Sequence, residues 1–178
     1  MTVEIRPLAR EELGRVGEID RSERIDALYV QEGARLSVRE GDWSSPPWDA
    51  EGEGEHSVAA QRRELERLVD VGGTALGAFE GDAFVGVGAV VTALRPGVAQ
   101  LAYLYVTRER RSAGIGARLC DELEHVARRA GSTSVVASAT PSVATVDFYR
   151  RRGYEPMAEP LPELLELEPE DVHMEKAL

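Results

Sequence analysis

The 178-residue sequence predicts an α/β fold of the α+β kind: one mixed, mostly antiparallel sheet flanked by helices, in a single domain over residues 1–178. Three observations lead there. Strand-like apolar runs follow one another directly between residues 74 and 106, which calls for antiparallel neighbours instead of helical crossovers. The segment behind them switches to helical spacing, with Ile115, Leu119, Leu123, Val126 and Ala130 on one face. A further strand, helix and strand close the chain, so helices must cover the sheet.

Taken in order, Thr2–Arg6 alternates Val3 and Ile5 as a short strand, and after Pro7 the spacing of Leu13, Val16 and Ile19 gives an amphipathic helix. Leu36 and Val38 alternate too briefly to place an element. Gly41–Glu55 (GDWSSPPWDAEGEGE) reads as an exposed acidic loop between two helical regions. Val58, Leu65, Leu68 and Val69, ahead of Gly72-Gly73, mark the next helix and its glycine stop. Thr74–Phe79, the turn Glu80-Gly81-Asp82 and Ala83–Thr92 form a hairpin, and Pro96-Gly97 turns the chain into Val98–Val106. The helix after that strand carries Arg118, Asp121, Glu122, Arg128 and Arg129 on its outer side and ends before Gly131. Ser134–Ala139 is a buried-type strand, Ser142 caps a helix over Val143–Arg152 that Gly153 ends, and Val172–Leu178 alternates as a last strand.

Composition narrows the function. Hydrophobic residues at 43% and charged residues at 30% fit a globular chain and exclude collagen-like, disordered or disulfide-framework classes. The longest apolar stretch, Val85–Leu94, falls short of the roughly 20 residues that cross a bilayer, and the charges within Met1–Arg15 do not suit a signal peptide. A cytoplasmic protein with no membrane partner is expected, as a monomer or homodimer. One cysteine, Cys120, and three histidines offer no zinc spacing, so no metal is expected. Thirty-two acids against 21 bases give −11, which disfavours nucleic acid and suits a cationic ligand. That charge is uneven. Residues 1–99 hold 19 acids and 11 bases, residues 100–153 five acids and nine arginines, and residues 154–178 eight acids and one lysine. The positive island fits an anion site, and it fits equally well a set of arginines on solvated helix faces.

The junction within that island carries the chemistry. Val98–Val106 runs through Thr107-Arg108-Glu109-Arg110 into Arg111-Ser112-Ala113-Gly114-Ile115-Gly116, where the helix starts. A helix start offers unpaired amides and the positive end of the dipole, and glycine lets a phosphate come close. Arg110 and Arg111 stand beside it as donors of charge-assisted bonds to phosphate oxygens. A tight strand-to-helix turn with no ligand explains the same residues equally well. No Gly-Lys-Ser/Thr follows, which excludes a Walker loop, and the preceding antiparallel-type strands disfavour a dinucleotide fold.

With those residues in view, the chain is similar to the GNAT superfamily of acetyl-CoA-dependent N-acetyltransferases, over roughly Thr74–Glu155 and more loosely throughout. Arg111–Gly116 matches its Arg/Gln-x-x-Gly-x-Gly/Ala signature in the expected place after the fourth strand. Phe148-Tyr149-Arg150-Arg151-Arg152-Gly153-Tyr154 matches its Phe-Tyr, basic, Gly-aromatic helix end. The resemblance implies a GNAT-like central sheet and acetyl-CoA as co-substrate. It implies that the backbone at Leu104, Tyr105 and Val106 pairs with pantetheine and supplies oxyanion donors. The amides of Ser112, Ala113, Gly114, Ile115, Gly116 and Ala117, with Arg111 at their head, would hold the pyrophosphate. Tyr149 would protonate the leaving thiolate; its other reading is a core aromatic. Ser142 stands where the family often has a cofactor-contacting asparagine, and capping alone also accounts for it. Ser112 stands where glycine is usual, which is tolerable if its torsion angles are ordinary.

The implied reaction is direct attack by an amine of a small molecule or protein, in a ternary complex, on the acetyl thioester. Many family members carry a glutamate base on the fourth strand, but VAQLAYLYV has no carboxylate. Tyr103, a strand-held water, and Glu23 or Asp26 from the expected first helices are the candidates, with a solvated-face role as the plainer reading of each acid. The family's acceptor region corresponds to Asp20–Glu55, whose Asp20, Glu23, Asp26, Tyr29, Trp43 and Trp48 suit a cationic amine; the tryptophans serve equally to pin a long loop. Cys120 reads as packing and not as a nucleophile, and His56 and His173 as structural or surface residues. Two rival functions remain: a CoA-binding sensor or interaction module without catalysis, and an acyltransferase using a longer acyl-CoA.

Overall fold

The computed structural model describes residues 2–178. A strand β1 (Val3–Pro7) leads into a 3₁₀ helix (Arg10–Glu18) that buries Leu13 and Val16, so the expected early helix is present in tighter form. The next segment departs from expectation: β2 (Glu23–Glu32) and β3 (Arg35–Ser45) form an antiparallel two-stranded sheet apart from the main one. Asp20–Glu55 is therefore mostly a hairpin followed by a loop, and the first third of the expected loop, Gly41–Ser45, is strand. This ribbon hides little apolar surface, so its sequence lacks the alternation that marks a half-buried strand.

Helix α1 (Val58–Asp70) is capped by Ser57, whose hydroxyl accepts from the Ala60 amide at 3.1 Å. Then come β4 (Thr74–Glu80), β5 (Ala83–Arg95), β6 (Val98–Val106), α2 (Ile115–Arg129), β7 (Ser134–Ala139) and α3 (Val143–Arg151), within a residue or two of the sequence reading except for the longer β5. The tail holds β8 (Glu155–Pro156), α4 (Pro162–Leu167) and β9 (Val172–Ala177). The seven-stranded sheet has the order β1-β4-β5-β6-β7-β9-β8, and only β6 and β7 run parallel. Among the described residues no helix is long and apolar enough to cross a membrane.

Two cores sandwich the sheet. On one face Ile115, Leu119 and Leu123 of α2 pack with Val146 and Tyr149 of α3; on the other Leu13, Val16, Leu65 and Leu68 cover Phe84, Val87 and Tyr103. Glycines in β5 bring α2 close: a Cβ at Gly88 would stand 2.6 Å from Leu123 Cδ1, and one at Gly86 3.0 Å from Leu119 Cδ1. Because α2 is seated against these bare positions, its N-terminus is fixed at the end of β6.

Candidate active site

β6 leads two different lives along its length. Val98–Leu101 pairs with β5 on one side and with β7 on the other, the last β7 partner being Leu101↔Ala137. Beyond that point β6 stays paired with β5 up to Val106↔Gly86 while β7 diverges, leaving one edge of the strand open. The Thr107 amide donates to Val85 O at 3.0 Å, so by alternation the amides of Leu104 and Val106 point away from β5, into the gap. A bulge between Ala89 and Val90 accompanies the divergence. The three residues named from the sequence thus lie on an open edge, with Leu104 and Val106 presenting the free amides.

At the end of this edge the chain turns into α2. Ser112 has φ 64° and Gly114, the residue before the helix, φ 80°; both lie in the left-handed region. Ordinary torsion angles were the condition under which Ser112 could replace glycine, and that condition is not met. The cost of about 1 kcal/mol for a non-glycine residue in this region is carried by a serine whose neighbours fix the turn. Among the described residues, none of the amides from Ser112 to Ala117 donates a hydrogen bond within the protein. Six consecutive donors therefore converge at the start of a 15-residue helix.

The neighbouring arginines do not point where charge alone suggests. Arg110 pairs with Glu80 at 2.7 Å. The Arg111 guanidinium donates to Val106 O, Ser22 O and Arg21 O at 3.2, 3.4 and 3.0 Å, with Glu23 at 3.9 Å. Arg111 is thus a brace that ties the end of β6 to the chain ahead of β2, and Glu23 is its counter-ion. Arg128, Arg150 and Arg152 are likewise paired, with Glu124, Asp147 and Asp121. Five of the nine arginines in the positive island are therefore paired with acids, whereas the amides from Ser112 to Ala117 have no partner among the described residues.

Tyr149 of α3 is buried, packs edge-on against Tyr154 and Phe148, and its hydroxyl makes no hydrogen bond to the described protein. Burial, with Cys120, Tyr105 and Asp171 nearby, pushes its phenol far above the ordinary tyrosine value. Ser142 is buried, and its Oγ accepts from the Thr145 amide at 3.2 Å and donates to Thr145 Oγ1 at 2.9 Å. Both bonds are those of a helix cap. Cys120 is buried too, and burial pushes its thiol up to about 11, so packing is its role.

The other candidates fare unevenly. Tyr103 donates to Gln61 Oε1 at 2.6 Å, and burial together with Tyr105 and Glu64 raises its phenol well above normal; it is a poor base at neutral pH. Asp26 lies on the solvent face beside Arg24. Tyr29 donates to Asp147 Oδ1 at 3.1 Å and accepts from Arg150 Nη1 at 3.3 Å, which anchors the hairpin to α3. Trp43 sits half-buried under Arg39 on the hairpin, whereas Trp48 is buried edge-on against Tyr105 at 5.2 Å with the Arg21 guanidinium 4.3 Å from its ring. Trp48 therefore pins the loop and walls the open edge at once.

One residue that the sequence reading passed over is Asp171, immediately before β9. Burial, then Glu168 and Glu170, push its carboxyl up to about 7. Its segment, LPELLELEPED, reads as a run of acids on a solvated surface, and nothing in the spacing separates the half-buried Asp171 from the rest.

The comparisons with known proteins agree with this geometry. The Acetyltransferase (GNAT) family model matches residues 36–154. No curated protein sequence matches the chain. Among solved structures, a nourseothricin acetyltransferase superposes with TM-score 0.74 at 15% identity, over 99% of either chain. A Bacillus anthracis protein assigned as a streptothricin acetyltransferase, in complex with acetyl coenzyme A, gives 0.72 at 17% over 100% of this chain and 98% of that one. The PaiA N-acetyltransferase of Thermoplasma acidophilum, in complex with coenzyme A, gives 0.64 at 20% over 100% of both. These likenesses carry the fold, and the family model, which spans more than half of the sequence, carries the kinship: the chain belongs to the GNAT acetyltransferase family.

Proposed function

We propose that this protein transfers an acetyl group from acetyl-CoA to a primary amine of a cationic small molecule or protein within a ternary complex. The observation that carries the reading is the run of free amides from Ser112 to Ala117 at the mouth of α2, continuous with the open edge of β6. The cradle fits a diphosphate. A Cβ at Gly114 would meet nothing within 4 Å, and one at Gly116 would stand 3.5 Å from Phe148 and Val106, so glycine keeps the approach clear. The Leu104 and Val106 amides suit an amide-bearing arm by the same logic as an added strand. Bound there, acetyl-CoA supplies the acetyl group as an activated thioester.

The chain's own residues then align and exchange protons. Tyr149, its phenol held protonated by burial, donates to the departing sulfur, and the open β6 amides steady the negative charge that grows on the carbonyl oxygen. Acids around the cleft, among them Glu55, Glu64, Glu168 and Asp171, support a positively charged acceptor. Thiol release from acetyl-CoA across a panel of mono- and polyamines tests the proposal, together with Tyr149→Phe. The variant is expected to bind acetyl-CoA normally by calorimetry and to lose roughly 10²- to 10⁴-fold in kcat. Binding without thiol release for every amine would favour a silent CoA-binding module instead.

A further inference from the structure

An acceptor amine is an ammonium at neutral pH, and it must lose a proton before its nitrogen can attack, yet β6 carries no carboxylate. The topology brings one in from the opposite arm. β9 pairs with β7 on the side away from β6, with Ala139↔Val172 the last pair, so Asp171 stands just past the end of β7. The final β6–β7 pair is Leu101↔Ala137, which places Asp171 and Tyr105 three to four residues beyond it on the two diverging arms. Strand alternation also sets the face. Val172 and Met174 enter the core under α2 and α3, which turns Asp171 and His173 to the other face, the one that Tyr103 and the 3₁₀ helix share.

On that face Asp171 lines a cavity of about 360 Å³ between β2 and α4, walled by Leu28, Val30, Pro141 and Leu165. Its charge also acts on the phenols of both Tyr105, at the open edge, and Tyr149, in the last turn of α3. Asp171 thus borders a cavity open to solvent and lies close enough for its charge to act on both tyrosines of the cleft.

We propose that Asp171 is the catalytic base, taking the proton of an alkyl-borne ammonium that enters through the chamber between β2 and α4. The proposal rests on the acetyl-transfer reading above. The ammonium gives one proton to the Asp171 carboxylate, and the freed lone pair forms the C–N bond. The C–S bond breaks with its electron pair left on sulfur. Tyr149 gives that sulfur a proton and is made whole by the second proton of the nitrogen, while Asp171 returns its proton to water when the product leaves.

The groups that face Asp171 set its titration. Glu168 and Glu170 adjoin it in the chain, Tyr105 of β6 and Tyr149 of α3 lie within reach of its charge, and Tyr29 and Arg39 line the same chamber from β2 and β3. Glu55 and Glu64 act on Glu168, and His173, two residues on, is kept neutral by burial with its Nδ1 on Ser138. A carboxyl at about 7 matches a proton acceptor that must also release its proton readily near neutrality.

The test is a pH profile of kcat with an amine that supports turnover. The wild type is expected to show an acidic limb near pH 7, and Asp171→Asn to lose roughly 10²- to 10⁴-fold in kcat along with that limb, with acetyl-CoA affinity unchanged by calorimetry. Asp171→Glu should keep the limb at a reduced rate, and formate should partly rescue Asp171→Ala. A ¹³C-carboxyl titration of the free protein supplies a readout apart from turnover: the resonance missing from Asp171→Asn should titrate near 7. Full kcat and an intact limb in Asp171→Asn would overturn the assignment while leaving acetyl transfer standing. A wild type that releases no thiol with any amine would sink both.

Discussion

The two walls of the cleft are built from different material. The wall formed by β6, the loop Arg111–Gly114 and α2 offers backbone: open-edge amides at Leu104 and Val106, then six free amides from Ser112 to Ala117. The wall formed by β2, β3, α4 and the start of β9 offers side chains, with Leu28, Arg39, Leu165 and Asp171 gathered from segments far apart in the chain. A backbone site is specified by where the chain may turn and where a Cβ is absent, which are local demands on a few residues. A side-chain site is specified by which distant segments happen to meet. The first kind of wall suits a ligand part that is always the same, and the second can be redrawn for a different acceptor without disturbing it.

The joint between the walls is the place to strike hardest. Glu124 of α2 is buried; its Oε2 accepts from Lys176 Nζ of β9 at 2.7 Å and its Oε1 from the Tyr154 hydroxyl at 3.0 Å. Burial works against its ionised form, but Lys176, Tyr154 and Cys120 outweigh it and hold the carboxyl below its ordinary range. Glu124→Ala is expected to cost about 3 kcal/mol in urea unfolding, because it strands Lys176 and the phenol. Since the folded-state pKa is the lower one, that contribution is present above the ordinary glutamate value and fades as the pH falls through it.

Next in size is a blow to the backbone wall alone. Gly116→Val has room for its Cβ, but its methyls would enter the approach proposed for the diphosphate. A loss of roughly 10- to 100-fold in acetyl-CoA affinity by calorimetry is expected, as for one or two charge-assisted bonds, with little change in melting. A fold that collapses in this variant would mean that the position is structural and that the wall is not a ligand surface.

The side-chain wall should answer to pH. Asp171 has a folded-state value of about 7, above the unfolded value near 4 (roughly), so its acid form stabilises below that lower value and the benefit is lost as the pH rises to about 7. Asp171→Asn stays neutral throughout. Its melting temperature should exceed that of the wild type by a margin that opens between about pH 4 and pH 7 and then holds, as scanning calorimetry would show. The smallest effect belongs to the turn: Ser112→Gly removes a left-handed serine and should stabilise by about 0.5 to 1 kcal/mol without weakening cofactor binding.

Much of this molecule was legible before any coordinates. The apolar alternation of β4, β5 and β6, the helical period of α2 and the glycine stops at Gly131 and Gly153 each impose a local pattern, and each element falls where that pattern put it. The hairpin β2–β3 escaped because a ribbon standing off the main sheet buries only a few residues, such as Ile25, and so writes no regular alternation into its sequence. Arg111 was legible as a motif but not in the course of its side chain: the spacing marks the position, and three carbonyls from Arg21, Ser22 and Val106 decide where its guanidinium lies.

The sequence by itself determined the sheet, the helix that ends its central strand and the amide cradle at that helix, because hydrophobic period, turn chemistry and a missing Cβ act over a handful of neighbouring residues. Only the tertiary structure decided that β6 and β7 part after Leu101 and Ala137, and that Asp171 is drawn into a cavity beside the cleft. Those outcomes depend on register and burial across segments from 30 to more than 60 residues apart, which no local pattern encodes.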